Sequence, residues 1–572
     1  MKNRNLPVFR IWLLSLGLVS FAVVLLFRLY SLQILQADVY KERAERQYYI
    51  PESNIFDRGS IFFRNKDGSP FPAALQKNDF SLVISPANIK NYDSVFYQLS
   101  SIVEIDEEEF IKKFKKGGSY QKIASNLGII ESEKIRKLNL IGVSLEHEKA
   151  RAYPANSLAS HILGFVGFRE HDKIGQYGLE RYYENILKRE DRATFVNFFA
   201  EVFAGIKDTV NTNSLAEKEG DIYVGIEPQV QSFIEEQLKN ITENNNAEYS
   251  GAIIINPSNG EIVAMASSPS FDPNNYSRVS SISIFTNPLV ENVYEMGSII
   301  KSLTLAAGLD FDAISPETTY FDPGTIFLNS RQISNYDGRS RGLVDMQKVL
   351  NDSLNTGAAF VVQQMGNQNF ARYMFDFGLG ETSGIDLPNE ATNIVSNLSS
   401  QRDLEYATAS FGQGIATTPI STARALSVLA NGGVLITPHL VKKVDYKNGF
   451  SKQISYQPGR RVIKEETSEE ISRMLVKVVD EALLGGKLKM ENYSIAAKTG
   501  TAQIAKDDGR GYYEDKFLHT FFGYFPAFDA KFLVFIFTYD PKGVRYASES
   551  LSEPFMEITK YLINYYEIPP DR

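Results

Sequence analysis

The sequence contains no cysteine, and among its 572 residues there are only five histidines and one tryptophan. The absence of cysteine excludes disulfides, thiolate metal sites and a cysteine nucleophile. No histidine lies in an H-E-x-x-H motif or at a metal-ligand spacing, so we expect neither a metal nor another cofactor. No G-x-x-x-x-G-K-S/T loop is present, and nucleotide hydrolysis is therefore not indicated.

The charge balance is acidic, with a formal net charge of -9. No basic stripe remains outside short local clusters, which argues against nucleic acid as a partner. Hydrophobic residues make up 43% of the chain and charged residues 23%, as in an ordinary globular protein. At this length we expect two or three domains with sizeable cores.

A long apolar stretch near the N-terminus predicts a membrane anchor. Residues 11–27 carry no charge, and with their apolar neighbours they approach the roughly 20 residues that a bilayer core requires. Basic residues and no acidic residue precede the stretch, which places the N-terminus in the cytoplasm. Basic residues on the far side weaken this asymmetry. We expect a cytoplasmic tail at 1–10, one transmembrane helix at 11–30 and an extracytoplasmic remainder.

A cleaved signal peptide is the alternative interpretation of this segment. The apolar run exceeds the roughly 7–15 residues of a signal-peptide core, and no small-x-small cleavage site follows it directly. We therefore expect a retained single-pass anchor in the cell membrane.

The order of the later patterns predicts an α+β domain at residues 221–572. An amphipathic helix and two strands come first, a long and mostly helical insertion follows, and three strands and a last helix end the chain. The corresponding segments are 228–241, 251–256, 261–266, 298–429, 494–505, 517–525, 531–539 and 554–566. This order favours a five-stranded antiparallel sheet covered by the first and last helices, beside a helical lobe.

Ser298 and Lys301 are the candidate nucleophile and base. They lie three residues apart at the start of an apolar helical pattern, so their side chains share one helix face. Burial disfavours the ammonium form of Lys301, and the helix N-terminus favours negative charge on the Ser298 hydroxyl. Both effects favour proton transfer from serine to lysine.

Two further motifs distinguish this serine from a chance match. Ser353-Leu354-Asn355 lies on a predicted connection between helices, and Lys498-Thr499-Gly500-Thr501 lies on the third predicted strand. By contrast, Ser119 and Lys122 have the same spacing but no apolar helix to bury the lysine. Each motif alone has an ordinary structural explanation. Their order on a helix, a connection and a strand is the signature of class A β-lactamases and penicillin-binding proteins.

The residue types in these motifs suit acyl transfer. Ser298 attacks a carbonyl, Lys301 accepts its proton, and Ser353 with Lys498 relays a proton to the leaving amine. Asn355 holds the substrate amide and the Lys301 ammonium. Thr499, Gly500 and Thr501 are the expected substrate-binding residues: Lys498 with the two threonines binds an anionic carboxylate, and Gly500 allows close approach of the substrate backbone. We expect the backbone N–H groups of Ser298 and Thr501 to form an oxyanion hole.

Over nearly its full length the chain resembles the class B penicillin-binding proteins, which are membrane-anchored peptidoglycan transpeptidases. Further motifs that carry the resemblance are Arg58-Gly59-x-Ile61, Arg151-x-Tyr153-Pro154, Gly175-x-x-Gly178-Leu179-Glu180, Phe411-Gly412-Gln413-Gly414 and Asn431-Gly432-Gly433. The resemblance implies a penicillin-binding transpeptidase fold at 221–572, preceded by an elongated pedestal, or dimerisation-like, domain at 31–220.

The resemblance also implies a function. The expected reaction is crosslinking of peptidoglycan stem peptides that end in D-Ala-D-Ala, through an acyl-enzyme on Ser298 that β-lactams also form. Asn355 and Thr499 resemble the septal, or division-type, enzymes more than the elongation type. A membrane glycosyltransferase and other division or elongation proteins are the implied partners. A D,D-carboxypeptidase or β-lactamase is the enzymatic alternative, and a β-lactam sensor or envelope scaffold is the non-enzymatic one.

The sequence departs from the family pattern just before the serine. Met296 stands where proline is usual, and Ile299 and Ile300 stand where threonine and phenylalanine are common. We expect these residues to alter the groove or the affinity for β-lactams.

Overall fold

The computed structural model describes residues 6–30, 57–169, 172–189, 219–457, 459–506 and 511–572. Its contacts divide the chain into two compact units. The first comprises Met1–Asp57, Asn78–Lys149 and Arg189–Glu217, and the second comprises Arg58–Lys77, Ala150–Lys188 and Lys218–Arg572. The candidate catalytic residues all belong to the second unit. The predicted domain boundary at residue 220 stays a prediction.

Helix α1, Leu6–Tyr30, includes the residues of the predicted anchor at 11–30. The structure describes the side chains of residues 12–28 and 30 in this helix, and they are exposed. Within the part of the chain that the structure describes, no helix is both long enough and apolar enough to cross a membrane. The transmembrane anchor at 11–30 is therefore not shown and stays a prediction.

The first unit has a small core of its own between helices and strands. Its elements are α2 Tyr92–Ser100, α3 Glu107–Lys116, α4 Ile129–Leu138, β3 Gln121–Leu127, and parts of β2 Pro70–Ile84 and β4 Val143–Ala152. Leu82, Leu99 and Phe110 are almost fully buried in this core. Asp106 is the N-cap of helix α3, and its side chain accepts a hydrogen bond from the amide of Glu109.

The second unit is built on a five-stranded antiparallel sheet. Its strands in spatial order are β18 Ala496–Ala505, β19 Tyr512–Phe525, β20 Phe532–Tyr539, β8 Tyr249–Ile255 and β9 Ile262–Ser268. Residues 532–538 are all buried, so the central strand β20 is covered on both faces. Helices α8 Pro228–Asn244 and α17 Ser552–Tyr566 contact this sheet.

A helical lobe lies between β9 and β18 in the chain. Its helices are α9 Ile300–Asp310, α10 Met346–Asn351, α11 Asn355–Met365, α12 Asn367–Asp376, α13 Asp403–Ala409, α14 Pro419–Ala430 and α15 Glu465–Lys477. Two short antiparallel strand pairs lie between α9 and α10 in the chain. They are β10 Thr319–Asp322 with β13 Gly342–Asp345, and β11 Thr325–Leu328 with β12 Arg331–Ser334. Helix α9 is buried from Ile300 to Gly308, because apolar residues occupy all of its faces.

Short elements complete the second unit. They are β1 Ile61–Arg64, α5 Ser160–Leu163, β5 Val166–Arg169, β6 Asp172–Gly175, α6 Gly178–Tyr182, α7 Glu184–Leu187, β7 Gly220–Val224, β14 Val434–Leu435, β15 Val441–Tyr446, β16 Ser451–Gln453, β17 Arg460–Arg461 and α16 Ala547–Ser550. Strand β7 pairs in parallel with β1 and antiparallel with β15.

Three of the motifs noted in the sequence meet at one buried carboxylate, Glu180. Its two oxygens accept hydrogen bonds from Arg58 Nε at 2.5 Å and Arg151 Nε at 2.6 Å, and Tyr153 Oη donates at 3.2 Å. Burial alone would raise the pKa of Glu180, but the two guanidinium groups hold it below its usual range. Removing one partner would leave buried charge without compensation, so these residues hold together distant parts of the chain.

Candidate active site

Ser298 and Lys301 lie where the sequence predicts them, at the start of a buried helix. Residues Gly297–Ile299 form a short 3-10 turn, and α9 continues directly from Ile300. Ser298 is partly exposed, whereas Lys301 is fully buried. Burial lowers the pKa of Lys301 well below its usual value, and the nearby charge of Lys498 lowers it further. A neutral amine that accepts a proton is therefore favoured at this position.

Ser353, the first residue of the second motif, is hydrogen-bonded to Lys301. Lys301 Nζ donates to the carbonyl oxygen of Ser353 at 2.5 Å and to its Oγ at 3.1 Å. Ser353 lies in the turn between α10 and α11 and has a φ of 53°. This left-handed conformation is unfavourable for a residue with a Cβ, and its presence next to a reactive lysine is typical of a functional site.

Asn355 differs from the expectation. Its Nδ2 donates to the carbonyl oxygen of Ser334 at 2.8 Å, whereas the described hydrogen bonds of Lys301 go to Ser353. The expected hold of Asn355 on the Lys301 ammonium is therefore not present in this structure. The contact to Ser334 fixes the orientation of the Asn355 amide at the mouth of the cleft.

Lys498 to Thr501 occupy the strand predicted for them. Strand β18 runs antiparallel to β19, with Gly500 opposite Thr520. Lys498 is 2% exposed, and burial lowers its pKa to about 8. Its Nζ donates to the carbonyl oxygen of Thr499 at 3.1 Å. At neutral pH most Lys498 side chains are therefore charged and suited to bind an anion.

Glycine at three positions allows close packing around the turn that carries Ser298, both against strand β18 and against the segment that contains Gly412. A Cβ on Gly500 would lie 2.4 Å from Thr520 Oγ1 and 2.8 Å from the carbonyl oxygen of Met296. Gly297 and Gly412 both have positive φ, and a Cβ on Gly412 would lie 2.2 Å from the carbonyl oxygen of Gly297. A larger residue would force these segments apart.

The predicted residues line one cleft of about 970 Å³. Ser298, Ser353, Asn355, Lys498, Thr499 and Thr501 form part of its wall. Lys301 is buried beneath the wall in contact with Ser353, and Gly500 is a buried residue of strand β18 that does not line the cleft. A smaller cavity of about 430 Å³ elsewhere in the second unit contains none of these residues. The large cleft is therefore the candidate active site.

Several cleft residues were not assigned a role from the sequence. The ring of Phe411 lies 6.0 Å from Lys301 Nζ, although its motif had been noted only as part of the resemblance. The rings of Tyr336 and Tyr546 line the cleft and meet edge to face at 5.9 Å. Arg545 and Glu514 also line it. No motif marks the last four residues, because they come together only through the fold.

Burial decides the roles open to four further residues near the site. Met296, Ile299 and Ile300 are at most 2% exposed, and they are not among the residues that line the cleft. Their side chains therefore pack into the core, and the expectation that these residues alter the groove or the affinity for β-lactams stays a prediction. His519 is also buried, and burial lowers its pKa to about 4, so it is a packed histidine and not a base.

Chance explains the second serine–lysine spacing, and the described residues offer no metal site. Lys122 is 39% exposed and forms a surface ion pair with Glu148 at 2.7 Å, so it is not a buried base. Among the residues that the structure describes, no group of three or more His, Asp or Glu side chains is placed to hold a metal ion.

Two family models match the chain. A model described as the penicillin-binding protein transpeptidase domain matches residues 250–560, which include every residue predicted for the site. A model described as the penicillin-binding protein dimerisation domain matches residues 57–201.

Curated relatives cover most of the chain. Stage V sporulation protein D of Bacillus subtilis is 32% identical over 508 residues, which span 87% of this chain and 77% of that protein. The peptidoglycan D,D-transpeptidase MrdA of Acinetobacter baumannii is 28% identical, with 86% and 77% covered. The peptidoglycan D,D-transpeptidase FtsI of Buchnera aphidicola is 26% identical, with 96% and 94% covered.

Solved structures share the fold. Penicillin-binding protein 2X from Streptococcus thermophilus has a TM-score of 0.72 at 20% identity, with 90% of this chain and 81% of that chain covered. Penicillin-binding protein 3 from Mycobacterium tuberculosis in complex with aztreonam has a TM-score of 0.68 at 20% identity, with 91% and 98% covered. At this identity the likeness shows a common fold.

Proposed function

The chain belongs to the class B penicillin-binding proteins and is a peptidoglycan D,D-transpeptidase, and from this premise we propose that it works through an acyl-enzyme on Ser298. The observation that carries the proposal is the environment of Lys301. This lysine is fully buried, lies one helical turn from Ser298, and contacts both oxygens of Ser353. Burial and Lys498 lower its pKa, so a neutral amine is available to accept the serine proton.

The proposed first step is acylation. Ser298 Oγ attacks the carbonyl carbon of the penultimate D-Ala of a donor stem peptide while Lys301 takes the hydroxyl proton. The backbone N–H groups of Ser298 and Thr501 stabilise the oxyanion. The peptide C–N bond then breaks, and the terminal D-Ala leaves as an amine that has received a proton through Ser353.

The proposed second step is transfer. An amine of a neighbouring stem peptide attacks the Ser298 ester, its proton returns through Lys301, and the serine hydroxyl is restored. Lys498 with Thr499 and Thr501 binds the carboxylate of the donor. A β-lactam presents the same carboxylate next to a strained amide, so we propose that it acylates Ser298 in the donor's place.

We propose a septal role over an elongation role. The support is Asn355 in the second motif and Thr499 in the third, and the partners would be a membrane glycosyltransferase and other division proteins. Depletion in the native cell tests this assignment. A septal enzyme gives filaments that lack septa, whereas round or swollen cells would favour the elongation type.

We also propose that the catalytic unit lies outside the cytoplasm, with the N-terminus inside. The support is the uncharged stretch 11–27 and the basic residues that precede it. Fusions of alkaline phosphatase and of green fluorescent protein to the C-terminus test this arrangement. An active phosphatase with a dark fluorescent protein is expected, and the opposite pattern would contradict the proposal.

Labelling with a fluorescent penicillin tests the acyl-enzyme. Wild type should form a denaturation-resistant fluorescent band, and Ser298→Ala should not. Ser119→Ala is the matched control, because Ser119 has the same spacing to a lysine but no buried partner, and it should label like wild type. Labelling that persists in Ser298→Ala would refute the proposal.

A lipid-linked substrate separates the transpeptidase from the hydrolytic alternative. Supplied with polymerised, stem-peptide-bearing glycan, wild type should produce crosslinked dimers together with free D-Ala. Release of D-Ala without dimers would instead favour a D,D-carboxypeptidase. Labelling by penicillin with neither product would favour a sensor.

A further inference from the structure

Asp322, at the end of strand β10, is a buried carboxylate held by several donors. It is 0% exposed. Its oxygens accept from the backbone amides of Gly324 at 3.0 Å and Arg341 at 2.9 Å. Asn335 Nδ2 lies 3.0 Å from each oxygen, and Thr356 Oγ1 donates at 2.7 Å. We call Asp322, Asn335 and Thr356 the Asp322 cluster.

The cluster reaches the second catalytic motif through two adjacent residues. Thr356 follows Asn355 in the first turn of α11, and its backbone amide donates to Asn335 Oδ1 at 3.3 Å. Ser334 precedes Asn335, and its carbonyl oxygen is the acceptor for Asn355 Nδ2 at 2.8 Å. The position of Asn335 therefore sets the position of the Ser334 carbonyl, which orients the Asn355 amide.

Helix α11 depends on this cluster at its start. Its N-cap residue, Leu354, provides no side-chain cap. The first amides of a helix lack partners within the helix, so an external acceptor is needed to order them. Asn335 provides that acceptor, and Asp322 fixes Asn335. Ser353, which contacts Lys301, lies immediately before this turn and has an unfavourable φ of 53°, so it requires support from its surroundings.

We propose that Asp322 is a positioning residue for acyl transfer. It is fully buried and is not among the residues that line the cleft. It holds the first turn of α11 so that Ser353 stays in reach of Lys301 and Asn355 faces the cleft. The proposal rests on the proposed function of Ser298 as the acylated residue.

Asparagine at position 322 removes this role with little change in volume. An amide has one oxygen acceptor and one NH₂ donor, so one of the donors now bound to Asp322 would face another donor. Leaving a buried donor without an acceptor destabilises the conformation that buries it, and shifts the equilibrium away from that conformation by roughly tenfold or more. We therefore expect acylation of Ser298 by a fluorescent penicillin to slow by about tenfold or more in Asp322→Asn.

Asp386 is a matched control for a purely structural effect. It is 4% exposed and accepts from the backbone amides of Leu440 at 2.7 Å and Val441 at 2.8 Å, and from Tyr183 Oη at 2.9 Å. It does not line the catalytic cleft. Asp386→Asn should lower the melting temperature as Asp322→Asn does, but it should leave the acylation rate of the folded protein unchanged.

The experiment measures acylation rate and hydrogen exchange on the full chain. In Asp322→Asn we expect faster amide exchange at residues 353–358 as well as slower acylation, and in Asp386→Asn neither change. Thr356→Val, which removes one donor, should slow acylation by a smaller factor and serves if Asp322→Asn does not fold.

The outcomes separate the two proposals. Wild-type rates and wild-type exchange in folded Asp322→Asn, or a slowing equal to that of Asp386→Asn, would overturn the positioning role. Absence of labelling in wild type would refute the role of Ser298. Exchange at residues 353–358 then still decides whether Asp322 orders this turn.

Discussion

Raising the pH from 7 to 9 should strongly slow acylation of Ser298, because Lys498 loses its charge in this interval. Burial lowers the pKa of Lys498 to about 8. Roughly nine-tenths of these side chains are then charged at pH 7 and roughly one-tenth at pH 9. If only the ammonium form binds the carboxylate of the β-lactam, the second-order acylation rate constant falls about tenfold.

On the acid side, the dependence of the acylation rate on pH reports the protonation of Lys301. Protonated Lys301 cannot accept the serine proton, so the rate should rise with pH as this group loses its proton. Burial and the charge of Lys498 both lower the pKa of Lys301. Replacing Lys498 by glutamine removes that charge, so the rise should move to higher pH while the alkaline fall disappears.

The assay is the rate of fluorescent penicillin attachment between pH 6 and 10, with melting curves at each pH to confirm that the protein stays folded. Lys498→Arg is the informative control, because a guanidinium keeps its charge throughout this range. Its rate at pH 7 should be lower than that of wild type, but it should not fall between pH 7 and 9. A flat wild-type profile from pH 7 to 9, or the same alkaline fall in Lys498→Arg, would refute the reasoning.

Three further predictions concern stability and the shape of the cleft. Burial raises the pKa of Glu235 to about 7, above its usual 4.5, so its contribution to stability falls by roughly 3 kcal/mol as pH rises through that interval. Glu235→Gln should therefore melt at a higher temperature than wild type at pH 8 but not at pH 4.5. Tyr336→Ala and Tyr546→Ala, combined in a double-mutant cycle of acylation rates, should show a coupling of about 0.5–1.5 kcal/mol, and strict additivity would contradict their contact. Gly500→Ala should slow acylation by about a hundredfold, since its Cβ displaces the strand from the serine turn, and an unchanged rate would contradict the close packing.

The catalytic motifs were predictable because each depends on a short local pattern. The spacing of Ser298 and Lys301 needs only a helix, and the apolar residues around them predict its burial. The strand that carries Lys498 is marked by its apolar and small residues. These patterns placed the residues on a helix, a connection and a strand, and the resemblance to a known family signature identified them as the residues for acyl transfer.

Contacts between segments far apart in the chain were not predictable in this way. The bond from Asn355 to Ser334 and the approach of Gly412 to Gly297 join residues that no periodicity relates. The left-handed φ of Ser353 is also invisible in a serine. Burial was equally hard to foresee at Met296, which departs from the family pattern but has a buried side chain that does not line the cleft.

Peptide mapping after reaction with benzylpenicillin tests the central claim most directly. The full chain is incubated with the β-lactam and digested, and the peptide that carries the penicilloyl adduct is sequenced by tandem mass spectrometry. The adduct should lie on Ser298 in wild type and be absent from Ser298→Ala. An adduct on any other residue, or no adduct on a folded wild-type protein, would contradict the account.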